Sequence, residues 1–96
     1  MIEEFTVLAK NIFGGGHWFT YDEQNAEYHL VTQGGEAIAL IGKNEQDNEW
    51  YAMVWETDMS EYNDTGRTGQ WLDLGVAYDT PHDAIVGISE YYPLPA

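Results

Sequence analysis

Three histidines and seventeen carboxylates are the side chains of this 96-residue chain with the widest chemical reach. His17 and His29 fall on two segments that would face each other across a hairpin, with Asp22 or Glu23 nearby. Such a set could hold a metal or move a proton. Dedicated zinc sites, however, place their ligands at tight spacings such as H-E-x-x-H, and no such motif occurs here. His82 lies in the first turn of an expected helix, where it should be exposed. Clustered carboxylates can attract hard cations weakly without any dedicated function. No metal and no cofactor are expected.

Covalent catalysis has even less support. There is no cysteine, and Ser60 and Ser89 lack a histidine motif or a G-x-S-x-G elbow. Gly14-Gly15-Gly16 lacks the Gly-Lys-Ser/Thr that cradles phosphate. A paired-carboxylate hydrolase needs a deep cleft, for which a chain this short has little room. The expectation is a protein that is not an enzyme. Fourteen aromatic residues suggest base stacking, but stacking platforms need a positive groove beside the rings. Lys10, Lys43 and Arg67 against seventeen acids cannot provide one, so no direct nucleic-acid contact is expected.

Charge is the informative quantity. The formal net charge is -14 and the isoelectric point about 4.1, well past the magnitude of about 2–8 that suits a small domain. Duplex DNA carries one charge per ~1.7 Å of axis, so fourteen charges correspond to roughly 24 Å of duplex. A basic protein surface is the partner this charge suits, although a salt-adapted surface or plain solubility would use it too. Ten of the acids fall in residues 45–83, with Arg67 the only lysine or arginine among them: Glu45, Asp47, Glu49, Glu56, Asp58, Glu61, Asp64, Asp73, Asp79 and Asp83. Acids two apart on a strand stand about 6.6–6.8 Å apart, near twice the ~3.4 Å phosphate spacing along one DNA strand. These ten, with Trp55 and Tyr62 supplying apolar area at the centre of a contact, are the candidate partner-binding residues.

Those residues must be positioned by one domain covering 1–96. Apolar residues three to four apart over residues 2–13 predict an amphipathic helix stopped by the three glycines. A period of two then predicts strands over residues 17–21, 26–33, 36–41, 49–56 and 70–78. Ala26, Tyr28 and Leu30 should share one face of the second, and Leu72, Leu74 and Val76 should face inward from the fifth. The fourth is apolar on both faces, which suits a central position. Thr80-Pro81-His82-Asp83 opens a closing helix with an N-cap hydroxyl, a proline at the first position and a carboxylate at the third. The expected fold class is α+β, an antiparallel sheet of about five strands with an N-terminal and a C-terminal helix packed on it. No apolar run reaches the ~20 residues of a membrane span and the acidic start is unlike a signal peptide, so a cytoplasmic protein is expected. A weak echo, Gly-x-Trp-apolar, links residues 16–19 with residues 69–72.

The run Glu61-Tyr62-Asn63-Asp64-Thr65-Gly66-Arg67-Thr68-Gly69-Gln70-Trp71-Leu72-Asp73-Leu74, followed by the capped helix at residues 80–90, resembles the opening of ArdA-type antirestriction proteins. The resemblance covers about residues 61–92, and residues 2–56 have no counterpart in it. It implies Tyr62, Asn63, Gly69, Trp71 and Asp73 as fold-setting positions. Members of that family are acidic DNA mimics of plasmids, transposons and phages that occupy the DNA groove of type I restriction enzymes; they carry further acidic domains after this unit. Small phage anti-CRISPR proteins are a looser comparison. The resemblance and the charge together imply an inhibitor that binds a basic DNA-binding protein or nuclease complex. A homodimer would lengthen its acidic face. The rival expectations are an immunity protein or antitoxin capping a basic nuclease toxin, and a phage structural or assembly protein.

Overall fold

A computed structural model of the chain describes residues 2–56 and 70–91. The described part is an α+β fold: helix α1 (Ile2–Phe13), strands β1 (His17–Asp22), β2 (Glu27–Thr32), β3 (Ala37–Asn44), β4 (Glu49–Glu56) and β5 (Gln70–Asp73), then helix α2 (Pro81–Tyr91). The strands form one antiparallel sheet in sequence order, β1-β2-β3-β4-β5. Among the described residues, no helix is long and apolar enough to cross a membrane.

Helix α1 buries Phe5, Ala9 and Phe13, residues four apart on one stripe, while Glu3 and Glu4 at its start and Lys10 at its end complement its dipole. It ends at Gly14, whose φ of 118° is open to glycine and to few other residues. The Thr6 hydroxyl accepts the Phe19 N–H at 3.1 Å, tying the helix to edge strand β1. Phe5 is the hub of the core, meeting Phe19, Tyr28 and Trp50 edge-on at centroid distances of 5.8, 5.0 and 6.4 Å. Leu30, Ala39, Ile41, Ala52, Val54, Ala84, Ile85 and Ile88 complete the layer between helices and sheet.

Two hairpin turns share one chemistry. After β1, Asp22 accepts the Gln24 N–H at 3.1 Å and the Asn25 side-chain amide at 2.8 Å, and Ala26 takes a φ of 54°. After β3, Asn44 accepts the Gln46 N–H at 3.1 Å and its amide donates to Asp47 at 3.3 Å, and Asn48 takes a φ of 57°. The sequences Asp-Glu-Gln-Asn-Ala and Asn-Glu-Gln-Asp-Asn are thus one turn written twice, with Asp and Asn exchanged. Ala26 consequently belongs to the turn and not to the strand face shared by Tyr28 and Leu30.

The last strand is shorter than its sequence pattern. It stops at Asp73, whose carboxylate accepts the Gly75 N–H at 2.8 Å while Gly75 takes a φ of 74°. The chain returns to β4 at Tyr78, which exchanges two backbone hydrogen bonds of 2.8 Å with Trp50. Leu74 packs on the core, and Leu72, opposite Val54, lies on the helix side as expected but is exposed there, as is Val76 beyond the strand. The reason is coverage: α2 lies over β3 and β4, leaving edge strand β5 without a helix above it. Thr80 caps α2 as expected, its hydroxyl accepting the Asp83 N–H at 3.1 Å.

Phe5→Ala is expected to cost about 3–5 kcal/mol, since it empties the hub of the core. Val7→Ala, at a position 60% exposed on the same helix, should stay within about 0.5 kcal/mol. Urea unfolding midpoints of the two variants check this; equal shifts would contradict the packing described.

Candidate functional site

Strand alternation gives the sheet two unlike faces. Phe19, Tyr28, Leu30, Ile41, Trp50 and Val54 point to the helices, so their neighbours Asp22, Glu27, His29, Leu40, Asn44, Glu49, Tyr51, Met53, Trp55, Trp71 and Asp73 point to the open face. That face is not wholly polar. Leu40 and Trp55 are buried on it, Trp71 packs edge-on against Trp55 at 5.3 Å, and the Trp71 ring reaches within 6.3 Å of His29.

The acids gather at one end of it. Asp22 ends β1, Glu27 opens β2, Glu49 opens β4 and Asp73 ends β5; Asp47 sits in the turn before β4. Asp22 and Glu27 are level with Tyr51, while Glu49 lies two residues nearer the turns and Asp73, opposite Met53, two residues further from them. The row is therefore a staggered band, about 19 Å wide across five strands at ~4.8 Å separation. Among the described residues, neither lysine lies on this face. Lys10 is on α1, and Lys43, opposite Trp50, points to the helix side.

One phenol organises the middle of the row. Tyr51 lies flat across Gly42 of the neighbouring strand and donates to Glu27 Oε2 at 2.7 Å. A Cβ on Gly42 would fall 2.3 Å from the Tyr51 oxygen, so only glycine admits this path. Burial, reinforced by the hydrogen bond to Glu27 and by the negative charge of Glu27 and Asp73, pushes the Tyr51 hydroxyl up to about 12. It therefore stays a neutral donor at any physiological pH. Beside it, His29 Nε2 is 3.6 Å from Glu27 Oε1 and 3.8 Å from Asp22 Oδ2. The Asn25 amide, above all, holds the Asp22 carboxyl below its ordinary value, helped by the Gln24 N–H and the nearby His29.

Of the residues singled out by sequence, Asp47, Glu49 and Asp73 do converge, lining one open groove with Asn44, Tyr51 and Gly75. Glu45 lies in another hollow, with Tyr21, Tyr28 and Lys43. Glu56 is half-buried on the helix side, where it accepts the Tyr91 hydroxyl. Asp79 and Asp83 are exposed at the start of α2, in the helix layer. Trp55 is buried against Trp71 rather than displayed. Asp58, Glu61, Tyr62 and Asp64 lie outside the described residues, as do Asn63 and Gly69 of the family resemblance.

His17 and His29 do not face each other. Their strand partners are Thr32 and Thr20, and His17 packs beside Phe13 and Gly14 where α1 meets β1. The sequence reading missed Asp22, Glu27 and Tyr51 as members of the acidic face. The signal that would have found them was the repeated turn, which fixes Asp22 opposite Glu27. No protein family, curated protein or solved structure matches the chain.

Tyr51 makes stability pH-dependent. Its folded-state value lies above the ordinary value near 10, so the stabilisation is whole below pH 10 and lost as pH rises from about 10 to 12. Tyr51→Phe should flatten that decline in urea midpoints measured at pH 9 and pH 11. Gly42→Ala should displace the phenol and weaken the fold at both; a neutral effect would contradict the close approach.

Proposed function

We propose that this protein is a non-enzymatic DNA mimic encoded by a phage or mobile element. It would act in the host cytoplasm by occupying the DNA-binding surface of a defence protein, a restriction or CRISPR-Cas effector. The observation that carries the reading is the row of Asp22, Glu27, Asp47, Glu49 and Asp73 on an open sheet face that neither described lysine shares. Five carboxylates across about 19 Å compare with the five or six phosphates that one DNA strand spreads over the same length. The described part measures 35 × 32 × 25 Å, close to one helical turn of duplex at about 34–36 Å.

Lysine and arginine side chains that normally neutralise phosphates would pair with these carboxylates instead. Attraction at this charge density reaches beyond contact distance and speeds association at low salt. Trp71, half-exposed beside the row, adds apolar area. The ArdA-type resemblance at residues 61–92 points the same way, through acidity as the working principle.

The test is capture of partners from a defence-competent host lysate on the immobilised chain, followed by competitor duplex DNA. A DNA-binding protein released by duplex, and by salt well below about 0.5 M, is the expected result. A captured nuclease that duplex cannot displace would overturn the mimic and favour an immunity protein. Glu49→Gln with Asp73→Asn should weaken the captured complex at least about tenfold, or about 1.4 kcal/mol. The amide oxygen introduced by Asp73→Asn still accepts the Gly75 N–H, so the fold is spared. Glu3→Gln with Glu4→Gln, on the helix layer, should change little.

A further inference from the structure

We propose that Asp22, Glu27 and His29 form a binding site for a divalent transition-metal ion of the zinc class. His29 Nε2 is shielded from solvent and has no hydrogen-bond partner. A buried polar atom in that state is normally satisfied by something. It points at Glu27 Oε1, 3.6 Å away, and Asp22 Oδ2, 3.8 Å away, and one donor atom from each of the three residues lies within 4.8 Å of the others.

Zinc bonds of ~2.0–2.2 Å in a tetrahedral arrangement place ligand atoms roughly 3.4 Å apart. Two of the separations therefore need to close by only a few tenths of an ångström, and carboxylates with no cation between them repel one another outward. One imidazole nitrogen with two carboxylate oxygens suits zinc or its first-row neighbours better than calcium or magnesium, which take oxygen donors.

Groups outside the donor set already hold the ligands. Tyr51 occupies the second oxygen of Glu27, and Gln24 and Asn25 fix the Asp22 carboxylate. Such outer partners orient ligands and raise affinity in metal sites. Asp22 and Glu27 are also direct cross-strand partners, and His29 lies two residues beyond Glu27 on the same face, so the set is mounted on the sheet rather than on a loose loop. Three protein ligands leave a fourth position for water or for a donor from a partner. The site stands on these contacts, and it shares Asp22 and Glu27 with the acidic row, so a bound ion would leave Asp47, Glu49 and Asp73 as the charges free for the DNA-mimic reading.

The experiment is NMR of the full chain titrated with zinc in excess magnesium, with cobalt absorption as a second reporter of coordination. One equivalent of zinc should move the His29 ring signals before those of His17 or His82, and cobalt should give the visible bands of a four-coordinate site. His29→Gln and Asp22→Asn should each weaken zinc at least about tenfold. Asp22→Asn keeps one acceptor oxygen for the Gln24 N–H, the contact that Asn44 makes to Gln46 in the second turn, while an amide replaces the ligand oxygen. Unchanged urea midpoints separate the loss of affinity from a folding defect. Tyr51→Phe keeps all three ligands and should still weaken binding about tenfold. His17→Gln and His82→Gln should have no effect. Unmoved His29 signals at stoichiometric zinc, or equal losses in the His17 and His82 variants, would overturn the site.

Discussion

Register is the constraint on which this structure depends. A strand shifted by one residue would exchange its faces, sending Tyr28 and Leu30 to solvent and Glu27 and His29 into the core. The two Asp/Asn turns prevent this from both sides of the central β2–β3 hairpin. Each fixes its first residue through a side-chain acceptor, and each ends on a left-handed residue, Ala26 or Asn48, that redirects the chain into the next strand. Because the turns pin Asp22 opposite Glu27 and Asn44 opposite Glu49, the same contacts that assemble the core also assemble the acidic row.

That arrangement works against electrostatics. Like charges placed directly opposite each other on a sheet are destabilising, by roughly 0.2–1 kcal/mol per pair. Asp22 beside Glu27 is such a pair. Three features offset the repulsion: hydrogen bonds from Asn25 and Gln24 to Asp22, the Tyr51 hydroxyl on Glu27, and His29 within 4 Å of both. The apolar layer on the other face, centred on Phe5, bears the rest.

Much of the fold was legible in the sequence because its signals are local. The limits of α1 and of β4 follow from periodicity and the flanking glycines and polar turn, and α2 follows from Thr80-Pro81. The strand ends were less legible. Residues 74–78 carry strand-like alternation, yet Asp73 and Gly75 turn the chain, and nothing local says that α2 stops short of β5. The site was the least legible part. Glu49 and Asp73 are 24 positions apart and share one groove only because β5 lies beside β4, while Glu56, equally acidic in sequence, alternates to the helix side and meets Tyr91. Parity along a strand decides between these fates, and parity is known only once the register is.

The carboxylates that converge are not idle surface groups. Asp22 and Asp47 close the turns, and Asp73 stops β5. A structural duty of this kind accounts for their presence without any partner, yet it also changes what they offer to one. A side chain already held by hydrogen bonds within its own turn has little rotamer freedom left to lose on binding, where an ordinary mobile side chain gives up about 0.5–1.5 kcal/mol. Phosphates on a duplex are fixed in the same sense. In the proposed DNA-mimic role, rigid acids at strand ends would match that fixed charge more closely than the same number of mobile glutamates on a helix such as α1. Turn formation and charge display are therefore not competing explanations: the hydrogen bonds that set the sheet's register also hold the charges in place.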